Sequence, residues 1–288
     1  MRITGVSYVI LAALFWGISG GIADILMERG WDPVLISFYR GVTGFFFFFV
    51  WFLIQFRTNK SRDSRFFFWS VLAGVGVAGN FTLYYLSIEA ATIAVAATLM
   101  YTAPAMVLLI SVLAGYERAT WLKGFCIGLV LLGIVLLTGS WSPAAMSVSV
   151  FGLLAGLGAG LSYAVFIFGF KNAVLTGRPQ TALTLAFFSF SLIVFFLIDH
   201  GEAVRVWYSE DALLFMLIGV LGAGLSFILY LFGIRYTAPT TASMVAMVEP
   251  VTASAFGAAV IGQSLSILEV IGMGIILVTV SLLSKVGS

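Results

Sequence analysis

Charge is what this sequence has least of. Only 9% of its 288 residues are charged and 61% are hydrophobic, where an ordinary soluble domain carries about 25% charged residues. A water-soluble fold of this length cannot hide so much apolar surface, so lipid is the solvent for most of the chain. The net charge of +2, spread without a basic cluster, excludes a nucleic-acid partner. Cys126 is the one cysteine; it cannot form an intrachain disulfide and is silent about redox compartment. His200 is the one histidine, and it falls in a loop. There is no His/Asp/Glu metal cluster, no Cys/His pair within reach, and no glycine-rich phosphate loop followed by Lys-Ser/Thr. The expectation is therefore no enzyme, no metal, no cofactor and no ATP-driven pumping within this chain.

Long apolar runs are abundant. A helix needs about 20 mostly apolar residues to cross the hydrocarbon core, and ten such runs can be drawn, at 4–27, 33–56, 66–88, 92–114, 120–139, 148–170, 180–198, 212–234, 240–261 and 265–284. The first run is too long for a signal-peptide core and lacks a cleavage pattern, so it is expected to remain as a helix. The connections are short, which excludes a soluble domain. The fold class expected is an all-α integral membrane protein of ten transmembrane helices.

Basic residues favour the cytoplasmic side. With the N-terminus inside, the cytoplasmic segments hold Arg2, Arg57, Lys60, Arg62, Arg65, Arg118, Lys123, Lys171, Arg178, Arg235 and Lys285. The outside loops keep Arg29 and Arg205 together with most acids, among them Glu28, Asp32, Glu89, Asp199, Glu202, Asp211 and Glu269. Both termini are therefore expected in the cytoplasm. Trp31, Trp69, Trp121, Trp141 and Trp207 fall at run ends, where amphipathic rings favour the interface; Trp16 lies mid-run.

The two halves align without a gap at an offset of 146 residues (179 − 33). Pro33 pairs with Pro179, Gly76 with Gly222, Tyr84 with Tyr230, Pro104 with Pro250 and Gly128 with Gly274. Five helices per half is an odd number, so the second half enters from the opposite side. The chain is expected to divide into repeats at 1–142 and 143–288, an inverted pair of the kind that carries a substrate site near the midplane in many secondary transporters.

Within these runs a few residues carry chemistry. Pro104 and Pro250 each remove a backbone donor and free the carbonyl four residues earlier, at Met100 and Ala246; their paired placement favours a hinge over a packed kink. Glu249 and Arg40 lie deep in runs nine and two, where a charge is costly unless paired or hydrated. Glu249 is a candidate for a coupling proton or a substrate amine, and Arg40 for a substrate carboxylate; the competing account, favoured for Arg40, is structural, the two bridging each other or capping backbone. Asp24, near the outer end of its helix, has an interfacial position as its plainer account. Gly76, Asn80, Tyr84 and Ser87 recur on one face, as do Gly222, Ser226, Tyr230 and Gly233. Such a face suits a cavity wall or polar helix packing. Trp16, Tyr101 and Tyr163 add mid-depth aromatics suited to a small amphipathic ligand. Close packing is expected at Gly152, Gly156 and Gly160 and at Gly124 and Gly128, and lipid contact at residues 45–49.

Several motifs resemble a known family. Phe15-Trp16-Gly17, Asp32-Pro33, Phe38-Tyr39-Arg40, Leu83-Tyr84-Tyr85, Pro104 and Gly115-Tyr116-Glu117-Arg118 are similar to the EamA domain of the drug/metabolite transporter superfamily. The second copy is clearer, with Leu229-Tyr230-Leu231-Phe232-Gly233-Ile234-Arg235-Tyr236 followed by Glu249-Pro250-Val251. The chain departs at Gly262-Gln263, where the family has Gly-Glu, and at Ser162-Tyr163, opposite Trp16-Gly17. The resemblance implies a ten-helix fold with the fifth and tenth helices peripheral, an inner-membrane location, and export of amino acids or related metabolites. The leading expectation is a secondary exporter with a central cavity, driven by proton exchange through Glu249 or by facilitated diffusion. Its partners are a small-molecule substrate and the bilayer. A uniporter or channel, and a scaffold or sensor, are the alternatives; an intramembrane enzyme would need clustered acids or histidines that are absent.

Overall fold

The computed structural model describes residues 2–55, 63–140 and 149–286. Arg57, Lys60, Arg62 and Trp141, invoked above for orientation and interface, lie outside the described residues, as do the side chains of Arg2 and Lys285. The described chain is helical along each of the ten apolar runs. The helices are α1 (Arg2–Glu28), α2 (Pro33–Ile54), α3 (Ser64–Ala90), α4 (Ile93–Met100), α5 (Ala103–Leu113), α6 (Trp121–Thr138), α7 (Val150–Thr176), α8 (Pro179–Phe195), α9 (His200–Val206), α10 (Ala212–Gly219), α11 (Ser226–Tyr236), α12 (Pro239–Val245), α13 (Val248–Phe256) and α14 (Ile267–Val286). A π-helical turn, Val220–Leu225, joins α10 to α11, and another, Gly257–Ile261, extends α13.

Eight segments are long and apolar enough to cross a membrane, with α4–α5, α10–α11 and α12–α13 each counted as one. Segment α8–α9 would make a ninth but is bent by 120° at its break, and α14 is a shorter apolar helix. Helix α9 was not among the expected elements. Asp199 accepts from the backbone N–H groups of Gly201 and Glu202, and this N-cap starts a new helix where the apolar run ends.

Local chemistry fixes the starts of most helices. Asp32 accepts from the Leu35 N–H at 2.9 Å, with Pro33 at the first helical position. Thr92, Thr120 and Ser149 cap α4, α6 and α7 through their hydroxyls. Pro179 and Pro239 open α8 and α12, where a missing N–H costs nothing. Pro104 and Pro250 interrupt their runs as expected: α4 gives way to α5 at Tyr101–Thr102, and α12 to α13 at Ala246–Met247. The carbonyl of Ala246 is not left free, because the Glu249 N–H reaches it at 2.9 Å.

Helix α3 lies along α7 and α8; α1 lies along α10, α11 and α13; α2 packs on α8, and α6 on α14. The small-residue stripe of α3 is a packing face first. A methyl on Gly76 would stand 2.6 Å from the Phe166 backbone nitrogen. Asn80 donates to the Ala159 carbonyl at 3.0 Å, and Ser87 donates to that of Gly152 at 2.8 Å. Gly152, Gly156 and Gly160 do pack closely, against Ala90, Leu99 and Met100. Gly124 and Gly128 do not: nothing stands within 4 Å of where their side chains would begin, because they face outward from the peripheral α6–α14 pair. Residues 45–49 divide likewise. Phe46 is exposed, while Phe48 is buried against Phe187 with ring centroids 4.9 Å apart.

Candidate functional site

A cavity of about 540 Å³ lies among α1, α2, α3, α4, α6, α7 and α13, within the range of roughly 300–1,000 Å³ usual for small-molecule sites. It runs from helix ends at Met27, Pro33, Ile88 and Ile93 down to Trp16, Arg40, Asn80, Tyr163 and Glu249 at mid-helix. Tyr84, Tyr101, Phe81 and Pro250 are in its wall. A further void of about 30 Å³ continues beyond Glu249 and Arg40 to Val77, Phe166 and Phe227, large enough for a water.

Each charged group in the cavity has its own setting. Arg40 donates through Nε to the Gly222 carbonyl at 3.0 Å, and its Cζ lies 5.0 Å from the centre of the Phe81 ring. Gly222 makes room for it, since a Cβ there would stand 2.8 Å from Arg40 Nε. Arg40 forms no ion pair within 4 Å of Glu249. Of the two structural accounts, the ion pair is not made, and the bond of Arg40 to backbone is. Glu249 accepts no hydrogen bond from any described residue and faces the cavity from the first turn of α13. Its backbone approaches α1 closely, because Gly17 has no side chain: a Cβ there would stand 2.6 Å from the Glu249 carbonyl oxygen.

Asp24 is in the cavity wall too, a place the sequence reading gave to the interface. The signal was present: Trp16, Gly20, Asp24 and Met27 share one face of α1 at helical spacing. Two buried donors at the cavity lack partners, Trp16 Nε1 and Tyr163 Oη, with the residues only 3% and 4% exposed. Buried polar groups are ordinarily hydrogen-bonded, and no described residue supplies a partner to either.

Ser226 and Tyr230, expected in the cavity wall, do not reach it. Both are wholly buried, with unpartnered hydroxyls, in the layer behind Trp16; the Tyr230 and Trp16 rings are 5.0 Å apart. The α11 face that carries them packs on α1, where a methyl on Gly233 would stand 2.6 Å from Val9 Cγ2. Pro104 is buried outside the cavity at the start of α5.

Below the cavity the bundle is shut. Phe166, Phe170 and Phe187 surround Phe227, with ring centroids 4.9–6.3 Å from it. Further on, the Lys171 ammonium donates to the carbonyls of Ile234, Arg235 and Thr237 at 2.7–3.3 Å, gathering the C-terminal end of α11. Glu117 accepts from Lys123 Nζ at 2.6 Å and from the Thr240 N–H at 3.0 Å, so it caps α12 from the loop after α5. Tyr116 donates to Asn172 at 2.8 Å. Burial pushes the Glu117 carboxyl up, but the hydrogen bonds from Lys123 and Thr240 outweigh it and hold the group below the usual carboxylate range. At the opposite end, Asp211 pairs with Arg29 and accepts from the Trp31 indole at 2.7 Å. This joins the α1–α2 turn to the start of α10 across 182 residues of sequence.

Comparison with known proteins bears on the whole chain. The profile of the EamA-like transporter family matches residues 3–139 and again 150–285. An uncharacterized transporter of Archaeoglobus fulgidus is 27% identical over 277 residues, covering 95% of this chain and 93% of that protein. The uncharacterized inner membrane transporter YicL of Salmonella typhimurium is 25% identical over 299 residues, covering 97% and 95%. A crystal structure at 16% identity superposes with a TM-score of 0.77 over 100% of this chain and 98% of its own, which shows a shared fold.

Proposed function

This chain belongs to the EamA-like transporter family, and from that premise we propose that it is a secondary exporter of amino acids or related small metabolites. It is a multi-pass inner-membrane protein and a transporter, not an enzyme. One observation carries the finer reading: the cavity ends on an unpartnered carboxylate, Glu249, deep in the bundle, and the bundle is shut beyond it. A site reachable from one end only is what alternating access requires, and a continuous channel would not be plugged by Phe227 and its neighbours.

In this reading all ten helical runs span the bilayer as two inverted repeats, 1–142 and 143–288, with both termini cytoplasmic. The pairing of helices supports it. The α3–α7 contact recurs, at an offset of 146 residues, as the contact of α10 and α11 with α1, while α2–α8 and α6–α14 map onto themselves. The basic residues set the closed end inside, so the structure corresponds to an outward-open state. Asn80 and Tyr84 serve the cavity here; Ser226 and Tyr230, at the same positions of the other half, serve it when access switches. Tyr101 and Tyr163 wall the substrate, Trp16 stacks on it, Arg40 holds its carboxylate, and Pro104 and Pro250 are the hinges.

Counterflow in proteoliposomes with labelled amino acids and small amines tests the reading: saturable, competable uptake of at least one is expected. Glu249→Gln is expected to abolish flux driven by a pH gradient while sparing exchange. Gradient-driven flux surviving intact in that variant would remove Glu249 as the coupling site. A folded protein with no uptake across the panel would instead promote the scaffold alternative.

A further inference from the structure

Asp24 changes what the cavity can accept. The ionisable side chains in its wall, apart from tyrosines, are Asp24, Arg40 and Glu249, a formal sum of one negative charge. Arg40 is held in place through Nε by the Gly222 carbonyl and through its face by Phe81, and its single positive charge offsets one carboxylate, whether of the wall or of the substrate, and leaves the other. The two carboxylates receive no hydrogen bond or ion pair from the described residues. The unmet demand inside the cavity is therefore for positive charge. The wall suits this: Trp16, Tyr84 and Tyr101 line it, and aromatic rings attract cations through their negative quadrupole.

A second demand comes from the orphaned donors. Trp16 Nε1–H can only donate, and the Tyr163 hydroxyl is equally unpartnered. A bare amine would satisfy the carboxylates and leave the indole unserved, because an ammonium offers no acceptor. A ligand that meets both demands is cationic overall and also carries an acceptor. The two acidic residues stand at different depths. Gly17, which faces the Glu249 backbone, is two turns of α1 from Asp24, so their backbones are separated by roughly 10 Å along the axis. Two amino nitrogens separated by a short carbon chain, each reaching a carboxylate through a hydrogen bond of about 3 Å, bridge that depth.

Resting on the transport reading above, we propose that the cavity selects amine-bearing metabolites of net positive charge that also carry an acceptor group, the chemistry of a dibasic amino acid, and that Asp24 is the residue that sets this preference. Glu249 meets one ammonium at the bottom and Asp24 the other nearer the mouth, while the acceptor takes the Trp16 and Tyr163 donors.

The test is counterflow in proteoliposomes with lysine, its near-isostere glutamine, glutamate, and cadaverine, which is dicationic but has no acceptor. Lysine is expected to compete about tenfold better than glutamine or cadaverine, the equivalent of one well-placed charge pair. Asp24→Asn is expected to bring the lysine-to-glutamine ratio close to one, and Asp24→Glu to restore it; a purely structural aspartate would move thermal stability and leave the ratio alone. Equal transport of lysine and glutamine by the wild type, or an unchanged ratio in Asp24→Asn, would overturn the proposal while leaving the protein a transporter. Cadaverine matching lysine would overturn the acceptor requirement. Absence of saturable uptake of all four by folded protein would overturn this proposal, and the wider amino-acid panel would then decide the transport reading separately.

Discussion

The two ends of this bundle use corresponding positions, 146 residues apart, and fit them with different chemistry. At the closed end Glu117 caps α12 through the Thr240 N–H and is itself held by Lys123. At the open end the position of Glu117 is taken by Gln263, that of Lys123 by Glu269, and that of Thr240 by Ala94. Glu269 turns back to accept from the Ser266 N–H at 2.6 Å, serving its own helix and not a neighbour. Lys171, which gathers three carbonyls at the closed end, corresponds to Ile25. At these corresponding positions the closed end is latched by ions that join distant helices, while the open end has uncharged or self-serving counterparts and relies on a different pair, Arg29 with Asp211. In the alternating-access reading, this difference makes end chemistry, as well as the packing both halves share, a source of preference for the conformation described. A carboxylate at a helix N-terminus is favoured by the macrodipole, and Glu117 has that position where Gln263 carries no charge to exploit it.

Removing the latch is expected to have the largest effect. Ser226→Cys, in a background lacking Cys126, reports access from the closed end, because Ser226 is wholly buried there. Adding Glu117→Gln is expected to raise the rate of labelling by a membrane-impermeant thiol reagent about tenfold, since charge-assisted hydrogen bonds are worth roughly 1.5–3 kcal/mol. The same latch predicts a pH dependence. The Glu117 carboxyl is held below its ordinary range in the closed protein, so its contribution is present in full above the ordinary carboxylate pKa. It is lost as pH falls through the depressed value. Labelling of the Ser226→Cys protein, taken relative to a freely exposed cysteine at the same pH so that the loss of thiolate cancels, should therefore rise on acidification, and that response should be absent with Glu117→Gln. An unchanged labelling rate in Glu117→Gln would mean that the aromatic plug around Phe227 alone keeps the end shut.

A smaller effect is expected from giving the open end the chemistry of the closed one. Gln263→Glu combined with Glu269→Lys puts the closed-end pair at the corresponding positions, where it would engage the N-terminus of α4 when that end closes. An exposed carboxylate at a helix start is worth about 0.3–1 kcal/mol, so the gain in Ser226→Cys labelling should be about two- to fivefold, with a matching fall at Ala94→Cys in the cavity wall. A double variant that alters neither site would show that the asymmetry between the ends does not govern their opening.

Much of this fold was legible in the sequence because its signals are local. Hydropathy over 20 residues marks a helix wherever lipid is the solvent, and Pro104 and Pro250 break their helices regardless of what lies nearby. Faces were harder to read. Small and polar residues at helical spacing look alike whether they glue helices or wall a cavity, and here one stripe does both: Asn80 bonds to α7 and lines the cavity, while Ser226 and Tyr230 are buried against α1. Along α1 alone Asp24 lies near an end, which hides its place in the cavity; the cavity reaches that depth because α3 and α4 stand away from α1 there. Contacts such as Arg29 with Asp211 join loops 182 residues apart, and no local pattern announces them. Gly124 and Gly128 carry a helix-packing spacing but face outward, since spacing alone does not say which side of a helix meets its partner.

Those outward glycines supply the smallest expected effect, and it bounds the comparison of the ends. Gly128 sits in the middle of α6, away from both ends, with nothing within 4 Å of where a side chain would begin. Replacing it with alanine removes the backbone-entropy penalty of glycine in a helix and meets no neighbour, so Gly128→Ala should stabilise the protein by about 0.5–1 kcal/mol, seen as a small rise in melting temperature. If the ends alone govern access, labelling at Ser226→Cys should be unaffected by this change. A shift in labelling would mean that α6 and α14 bend or slide when access switches, and the peripheral pair would then belong to the moving part of the transporter and not to its frame.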